Sequence, residues 1–238
     1  MLGFLSVRRH QPEMMDEPNA DERGLLKSLS FIRFFNRLLG YRRLIVSQLD
    51  RFSAGWKPGE TIRILDVGTG SADIPLAVLN WAQAKGFDVR IIGLDLHPMI
   101  CAAAAKAAAE IPKLKIIRGD ALCLPFDGGS FDYAITSMFL HHLDEEQVVK
   151  VLEEMDRVST RGIIASDLLR MRRSYFFVTL TTLLANKMVR HDARVSIEQA
   201  FTQREILDLR DRAGVSYADY ASHMTHRFVL AGEKLVIK

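Results

Sequence analysis

Cysteine is scarce in this sequence: Cys101 and Cys123 are the only two among 238 residues. Neither stands in a CxxC pair or beside a Cys/His cluster. No metal site and no disulfide framework is expected, and a reducing, cytoplasmic setting fits. Long apolar runs are lacking too. The longest is YFFVTLTTLLA, Tyr175 to Ala185, well short of the ~20 residues a membrane-spanning helix needs. The opening MLGFLSVRRHQPEMMDEPNADE holds no apolar core of signal-peptide kind and reads as a polar lead-in. An excess of one charge is also missing. The balance of 32 basic and 29 acidic residues leaves +3, too mild to imply a nucleic-acid surface. There is no internal repeat, and no low-complexity tract beyond the alanine run from Ala102 to Ala109.

What is present is an ordinary globular balance, 48% apolar and 26% charged. The length suits one sizeable α/β domain, alone or with a small appendage. Glu22 to Phe52 has apolar residues near helical spacing, with a possible break at Gly40, and reads as one or two helices. SAGWKPGE, Ser53 to Glu60, is a loop by its glycine and proline. From there strands and helices alternate. Strands are expected at Thr61–Val67, Val89–Asp95, Leu114–Arg118, Phe131–Met138 and Gly162–Ser166. Helices are expected at Ser71–Lys85, Pro98–Glu110 and Asp144–Val158. Such apolar strands between helices argue a parallel sheet covered on both faces. The end differs: a helix over Phe201–Gly214, then Val215–His223 and Arg227–Ile237 as an antiparallel edge hairpin.

The first strand runs into a sharp turn, ILDVGTGSADIP. In open α/β sheets ligands bind at the carboxyl ends of strands, where strand order reverses. Gly68 and Gly70 sit at such an end and permit both positive φ and close approach. A dinucleotide fingerprint would place its third glycine at 73, where this chain has Asp73. A pyrophosphate would be repelled there. Carboxylates at Asp66 and Asp73 suit a ligand carrying an ammonium or sulfonium group. Asp95 ends the second strand, where an acid can accept from both ribose hydroxyls. Asp120 follows the third, where an acid can accept from an exocyclic amino group.

The stretches LDVGTGSADIP, GLDL, GDALCLPF and FDYAITSMFLHHL resemble a class I S-adenosylmethionine-dependent methyltransferase. Within that superfamily the chain is similar to small-molecule enzymes of the ubiquinone/menaquinone-biosynthesis type. The resemblance is dense over Thr61 to Ser166. It implies an α/β fold: a Rossmann-like seven-stranded, mostly parallel sheet with helices on both faces and a reversed C-terminal β-hairpin. An N-terminal helical extension and a helical insert after strand 5 complete the expected architecture. Residues 1–57 would be tail and helical cap, and 58–238 the methyltransferase domain, with a lid insert at about 170–200. The cofactor implied is S-adenosyl-L-methionine, with no metal. Asp66, Gly68, Thr69, Gly70 and Ser71 would surround its methionine part. Asp95 would hold the ribose, with Leu96 and Met99 along the adenosine. Asp120 and Ala121 would meet the adenine, and Ser137, Met138 and Phe139 would face the methyl group. The family's usual third glycine falls at Ala72, where a minor shift is expected.

The implied reaction moves a methyl group to an oxygen or carbon of a small, aromatic or lipophilic acceptor. His141 and His142 at the mouth of the fourth strand are the catalytic candidates, as a general base or a polar contact. The alternative is loop histidines capping the next helix. Arg33, Arg37, Arg42 and Arg43 either bind a carboxylate or form a solvated helix face. His191-Asp192-Ala193-Arg194 either lines an acceptor pocket or is a polar loop. Tyr175, Phe176, Phe177, Val178, Leu180, Leu183 and Leu184, with Phe31, Phe34 and Phe35, are expected to wall an apolar acceptor pocket. A homodimer contact and a peripheral membrane face are the rivals. Three other functions compete. Asp73 disfavours a nucleotide-dependent oxidoreductase. A nucleic-acid methyltransferase would show asparagine-proline-proline-aromatic after the fourth strand, where TSMFLHHL stands. A cofactor-binding scaffold without catalysis stays open, because no residue is an unambiguous catalyst.

Overall fold

The computed structural model describes residues 5, 7–9, 11, 40–183, 185, 187–223 and 226–235. Phe31, Arg33, Phe34, Phe35, Arg37 and Leu184 lie outside them. Helix α1 (Tyr41–Phe52) begins at Gly40, whose φ of 76° ends any longer helix there. Next come β1 (Thr61–Val67), α2 (Asp73–Lys85), β2 (Asp88–Asp95), α3 (Pro98–Ala108), β3 (Leu114–Arg118) and β4 (Phe131–Ser137). The second half holds α4 (Glu145–Val158), β5 (Ser159–Leu168), α5 (Arg172–Thr181), α6 (Lys187–Gln199), α7 (Gln203–Arg212), β6 (Asp219–His223) and β7 (Arg227–Glu233).

The seven strands form one sheet in the order β3-β2-β1-β4-β5-β7-β6. The first five are mutually parallel, and β7 runs antiparallel to both β5 and β6. Chain order therefore reverses between β1 and β4, which opens a crevice at their carboxyl ends.

Alternation along the strands feeds two cores. Ile62 and Ile64 of β1 and Tyr133 and Ile135 of β4 pack with Ile45, Leu49 and Phe52 of α1 and Val78 of α2. Leu65, Val67 and Ala134 point the other way, onto Val148, Val151, Leu152 and Met155 of α4 and Ile206 of α7. Each of these large side chains contributes about 2 kcal/mol by leaving water. Helix α1 thus packs into the first of these cores. Asp144 caps α4 in a reciprocal arrangement with Gln147, and Thr202 caps α7 the same way with Glu205.

Several boundaries differ from the sequence expectation. Helix α2 starts at Asp73, not Ser71, because Ala72 is left-handed at φ 58°. Strand β5 reaches beyond Gly162–Ser166 because β7 pairs with it as far as Leu168. The His191–Arg194 stretch is helical, inside α6. Helix α3 stops at Ala108. The last helix spans Gln203–Arg212, and the strand expected from Val215 begins only at Asp219. Among the described residues, no helix is long and apolar enough to cross a membrane.

Candidate functional site

The turn from β1 to α2 carries three left-handed residues in five: Gly68 (φ 70°), Gly70 (φ 52°) and Ala72 (φ 58°). Two backbone bonds pin it to β2, from the N–H groups of Gly68 and Thr69 to the Leu94 carbonyl, each 2.9 Å. Gly68 is required by contact as well as by φ. A Cβ there would stand 2.6 Å from Phe139 Cγ, far inside ordinary packing distance. At Gly70 an added Cβ meets nothing within 4 Å, so that side of the turn is open.

Asp66, Asp73 and Asp95 gather near this turn in different circumstances, and Asp120 follows β3. Asp66 is fully buried and its Oδ2 has no hydrogen-bond partner among the described residues. Burial raises its pKa to about 7, and the carboxylates of Asp73 and Asp95 add to the rise. Asp73 opens α2, where an acid favours the helix dipole. It meets Arg42 Nε of α1 at 3.2 Å and the Ser71 hydroxyl at 3.2 Å. Its charge is therefore answered inside the protein. Asp66 and Asp73, expected to act alike toward a cationic ligand, differ: Asp73 has a counter-charge in Arg42, and Asp66 has none among the described residues. Arg42 binds a carboxylate, but a protein one. Asp95 accepts from Gly70 N through Oδ2 and from His97 N through Oδ1, both 3.0 Å. It ties the glycine turn to the β2–α3 loop, and each oxygen keeps a second lone pair. Asp120 accepts from Leu122 N at 2.9 Å and stays exposed beside buried Ala121. Leu96 is exposed although large and apolar, and Met99 is half-buried on the same rim.

Across the crevice, β4 leaves the sheet sharply. Met138 is left-handed at φ 58° and donates its N–H to the Ser166 carbonyl at 2.9 Å. A non-glycine residue held there stores about 1 kcal/mol or more. The bend throws Phe139 back over Gly68. Ser137 ends the strand with its hydroxyl buried and unpartnered among the described residues. Ser137, Met138 and Phe139 are thus gathered beside the glycine turn.

His141 and His142 follow in a short helical turn. His141 is 2% exposed, and Asp167 grips it twice. Asp167 Oδ1 lies 2.7 Å from His141 Nδ1, and Oδ2 accepts from the His141 N–H at 3.0 Å. An ionised carboxylate only accepts, so Nδ1 carries the proton. Burial pushes the Asp167 pKa upward, but His141 and the N–H groups of His141 and Leu168 outweigh it and hold the carboxyl below its ordinary range. His142 is half-buried, its ring centre 4.2 Å from that of His141. Neither histidine caps α4, since Asp144 does.

Asp167 is the residue that sequence reasoning missed. It ends β5 as Asp66 and Asp95 sit at the ends of β1 and β2, and a strand closed at Ser166 leaves it out by one position. Arg8 is the second omission. Its guanidinium stacks on Phe201 at 3.9 Å and donates to the carbonyls of His141 (3.1 Å), Leu143 and Gln199. It braces the histidine turn against α6. Nothing in an isolated SVRRH signals that.

The insert after β5 does not turn inward as a whole. Tyr175 and Val178 pack with Tyr41, Met138, Leu168 and Ile197 above the carboxyl edge of the sheet. Phe177 stacks on His226 at 5.1 Å. Phe176, Leu180 and Leu183 face solvent. The expectation that all of them wall one pocket is corrected, because a single helix cannot present residues 175, 176, 178 and 180 to one side. Arg170 is buried and structural, bonded to the Leu5 and Ala200 carbonyls and to Glu205. His191 contacts Asp192 within α6 at 3.2 Å.

Comparison with known proteins agrees with this geometry. A family described as a methyltransferase domain matches residues 64–162. A demethylmenaquinone methyltransferase from Bacillus mycoides is 32% identical over 111 residues, 43% of this chain and 46% of that protein. A 2-phytyl-1,4-naphtoquinone methyltransferase from Synechococcus elongatus is 32% identical over 139 residues, 57% and 56% of the two chains. The chain therefore spans about half the length of these relatives. Among solved structures, the magnesium protoporphyrin IX methyltransferase of Synechocystis, with bound SAH, superposes with a TM-score of 0.57. That match is 16% identical over 82% of this chain and 84% of the other, a likeness of fold. With its strand order and its glycine turn at the β1/β4 crevice, the chain is similar over residues 64–162 to the family described as a methyltransferase domain.

Proposed function

We propose that the protein transfers a methyl group from S-adenosylmethionine to an oxygen or carbon of a small aromatic or lipophilic acceptor, of the naphthoquinol class that its relatives' names suggest. The observation that carries this reading is Asp66. A buried carboxylate with an unpartnered oxygen, at an open glycine turn, suits a ligand that brings a positive charge. The open side of Gly70, the spare lone pairs of Asp95 and the exposed rim at Leu96 also fit such a cofactor. When bound, S-adenosylmethionine supplies an electrophilic methyl on a sulfonium centre.

The chain's residues then have separate tasks. Asp66, Gly68, Thr69, Gly70 and Ser71 hold the methionine end. Asp95 accepts from the ribose, Leu96 and Met99 cover the adenosine, and Asp120 and Ala121 meet the base. Ser137, Met138 and Phe139 close the methyl side. His142, the more accessible of the two histidines, holds or accepts a proton at the acceptor's hydroxyl. His141, fixed by Asp167, keeps the ring of His142 in place. Tyr175, Val178 and Met138 give the acceptor an apolar wall that excludes water. Residues 58–238 form the transferase unit in this reading, with the acceptor side at about 170–200. The two separate cysteines suit a cytoplasmic setting.

A nucleotide-dependent oxidoreductase fits less well, since the Asp73–Arg42 pair occupies the helix start that a pyrophosphate would need. Calorimetric titration with S-adenosylhomocysteine and with NAD tests the reading. One-to-one binding of the first and no heat from the second is expected. Tight NAD binding with no response to S-adenosylhomocysteine would overturn it. Transfer of labelled methyl to a demethylated naphthoquinol then tests the acceptor class.

A further inference from the structure

The outer face of α5 is apolar where a surface helix should be polar. Phe176 is 70% exposed, Leu180 56%, Leu183 54% and Met171 40%. Single exposed apolar side chains are ordinary, but four within one short stretch make a patch. Phe176 and Leu180 are four residues apart and lie in one row along the helix, and Leu183 follows just beyond its C-terminal end. Arg172 stands four residues before Phe176, in line with that row, and Arg173 beside it.

The exposed charges of α5 and of the first turn of α6 are all of one sign. Arg172, Arg173, Lys187 and Arg190 are exposed, and none makes an ion pair with another described residue. The two acids of α6 are engaged elsewhere: Asp192 is buried next to His191, and Glu198 pairs with Arg9. Helix α5 has no acid in its first turn and two arginines there. Cations at a helix N-terminus oppose the dipole, so these arginines do not serve the helix. A basic rim around an apolar row is complementary to a surface with anionic headgroups over acyl chains.

We propose that the outer face of α5 docks on an anionic lipid surface. Phe176, Leu180 and Leu183 enter the headgroup–acyl boundary, and Arg172, Arg173, Lys187 and Arg190 meet lipid phosphates. The inner face of the same helix, through Tyr175 and Val178, packs beside Met138 and Leu168. Docking would therefore set the acceptor side of the candidate site against the bilayer. The docking surface itself does not depend on the transferase reading.

Vesicle co-sedimentation of the full chain tests it, with phosphatidylcholine alone and with phosphatidylglycerol added. Binding to the anionic vesicles, weakened by salt, is expected. Each arginine near the surface should matter about fivefold, so Arg172→Gln with Arg173→Gln should weaken binding by about thirtyfold. Phe176→Ser with Leu180→Ser should weaken it by about tenfold or more. Because these side chains are already exposed, both variants should keep the parent's melting temperature and its affinity for S-adenosylhomocysteine. A parent protein that ignores anionic vesicles overturns the proposal, as does equal vesicle binding by parent and variants. So does a parent dimer that the Phe176→Ser, Leu180→Ser change converts to monomer, which would make the face a contact between copies. Intact cofactor binding in any of these cases separates failure of docking from failure of the transferase reading.

Discussion

Replacing Gly68 by alanine should be costly for two separable reasons. Its φ of 70° places a side chain in the left-handed region, which costs about 1–2 kcal/mol. Its Cβ would also stand 2.6 Å from Cγ and 2.7 Å from Cδ2 of Phe139. Phe139 cannot easily retreat. Met138 before it is bonded to Ser166, and His141 after it is held by Asp167. Forcing a methyl into a packed contact of this kind costs about 1–3 kcal/mol. Together Gly68→Ala should lose about 2–5 kcal/mol of stability. In a Phe139→Ala background the ring contacts are gone and only the Cβ contact at 3.0 Å remains, so Gly68→Ala should then cost little more than the φ share of about 1–2 kcal/mol. Urea unfolding of the parent, both single variants and the double variant closes the cycle. Gly70→Ala is the control: its φ is also positive, but its Cβ meets no atom. Its stability loss should stay within about 1–2 kcal/mol. Its affinity for S-adenosylhomocysteine should fall further, because the new methyl points into the open side of the turn. If Gly68→Ala costs the same with and without Phe139, the contact across the crevice is not what fixes glycine there.

Asp66 keeps its proton to higher pH in the folded chain than unfolded, with a folded pKa of about 7. Its stabilising contribution is therefore full below about pH 4 and lost as pH rises toward about 7. Asp66→Asn should flatten that decline in thermal unfolding, and the melting-temperature gain from S-adenosylhomocysteine in the parent should grow over the same interval. Asp95→Ala should weaken S-adenosylhomocysteine binding by about tenfold or more, since ribose acceptors and a bond to the turn are lost together; unchanged affinity by calorimetry would remove Asp95 from the site. His142→Ala should lower kcat and leave cofactor affinity near the parent's; a fall in affinity alone would make it a binding residue. Asp167→Asn should lower kcat and alter its pH profile through the His141 tautomer, whereas a uniform loss of folded protein would mark Asp167 as structural only.

The strand ends were legible in the sequence and their partners were not, for one physical reason. Glycines, strand-terminal acids and apolar runs are local signals. Each reports on its own few residues, so Gly68, Gly70, Asp95 and the alternation of strands and helices could be read directly. Pairings across the sheet are not local. Asp73 looked like a ligand-directed acid until Arg42, on a helix before β1, was found on it. His141 looked like half of an undifferentiated pair until Asp167 separated the buried ring from the accessible one. Asp167 stayed hidden because the sequence alone ends β5 too early, and only pairing with β7 extends it. The insert shows the same limit from the other side. Its composition correctly marked an apolar element, but helical geometry divides such an element into two faces. Composition cannot say that Tyr175 and Val178 pack toward Tyr41 and Leu168 while Phe176 and Leu180 go to solvent. Where neighbouring residues divide between two surroundings, their functions divide as well, and that division requires the fold.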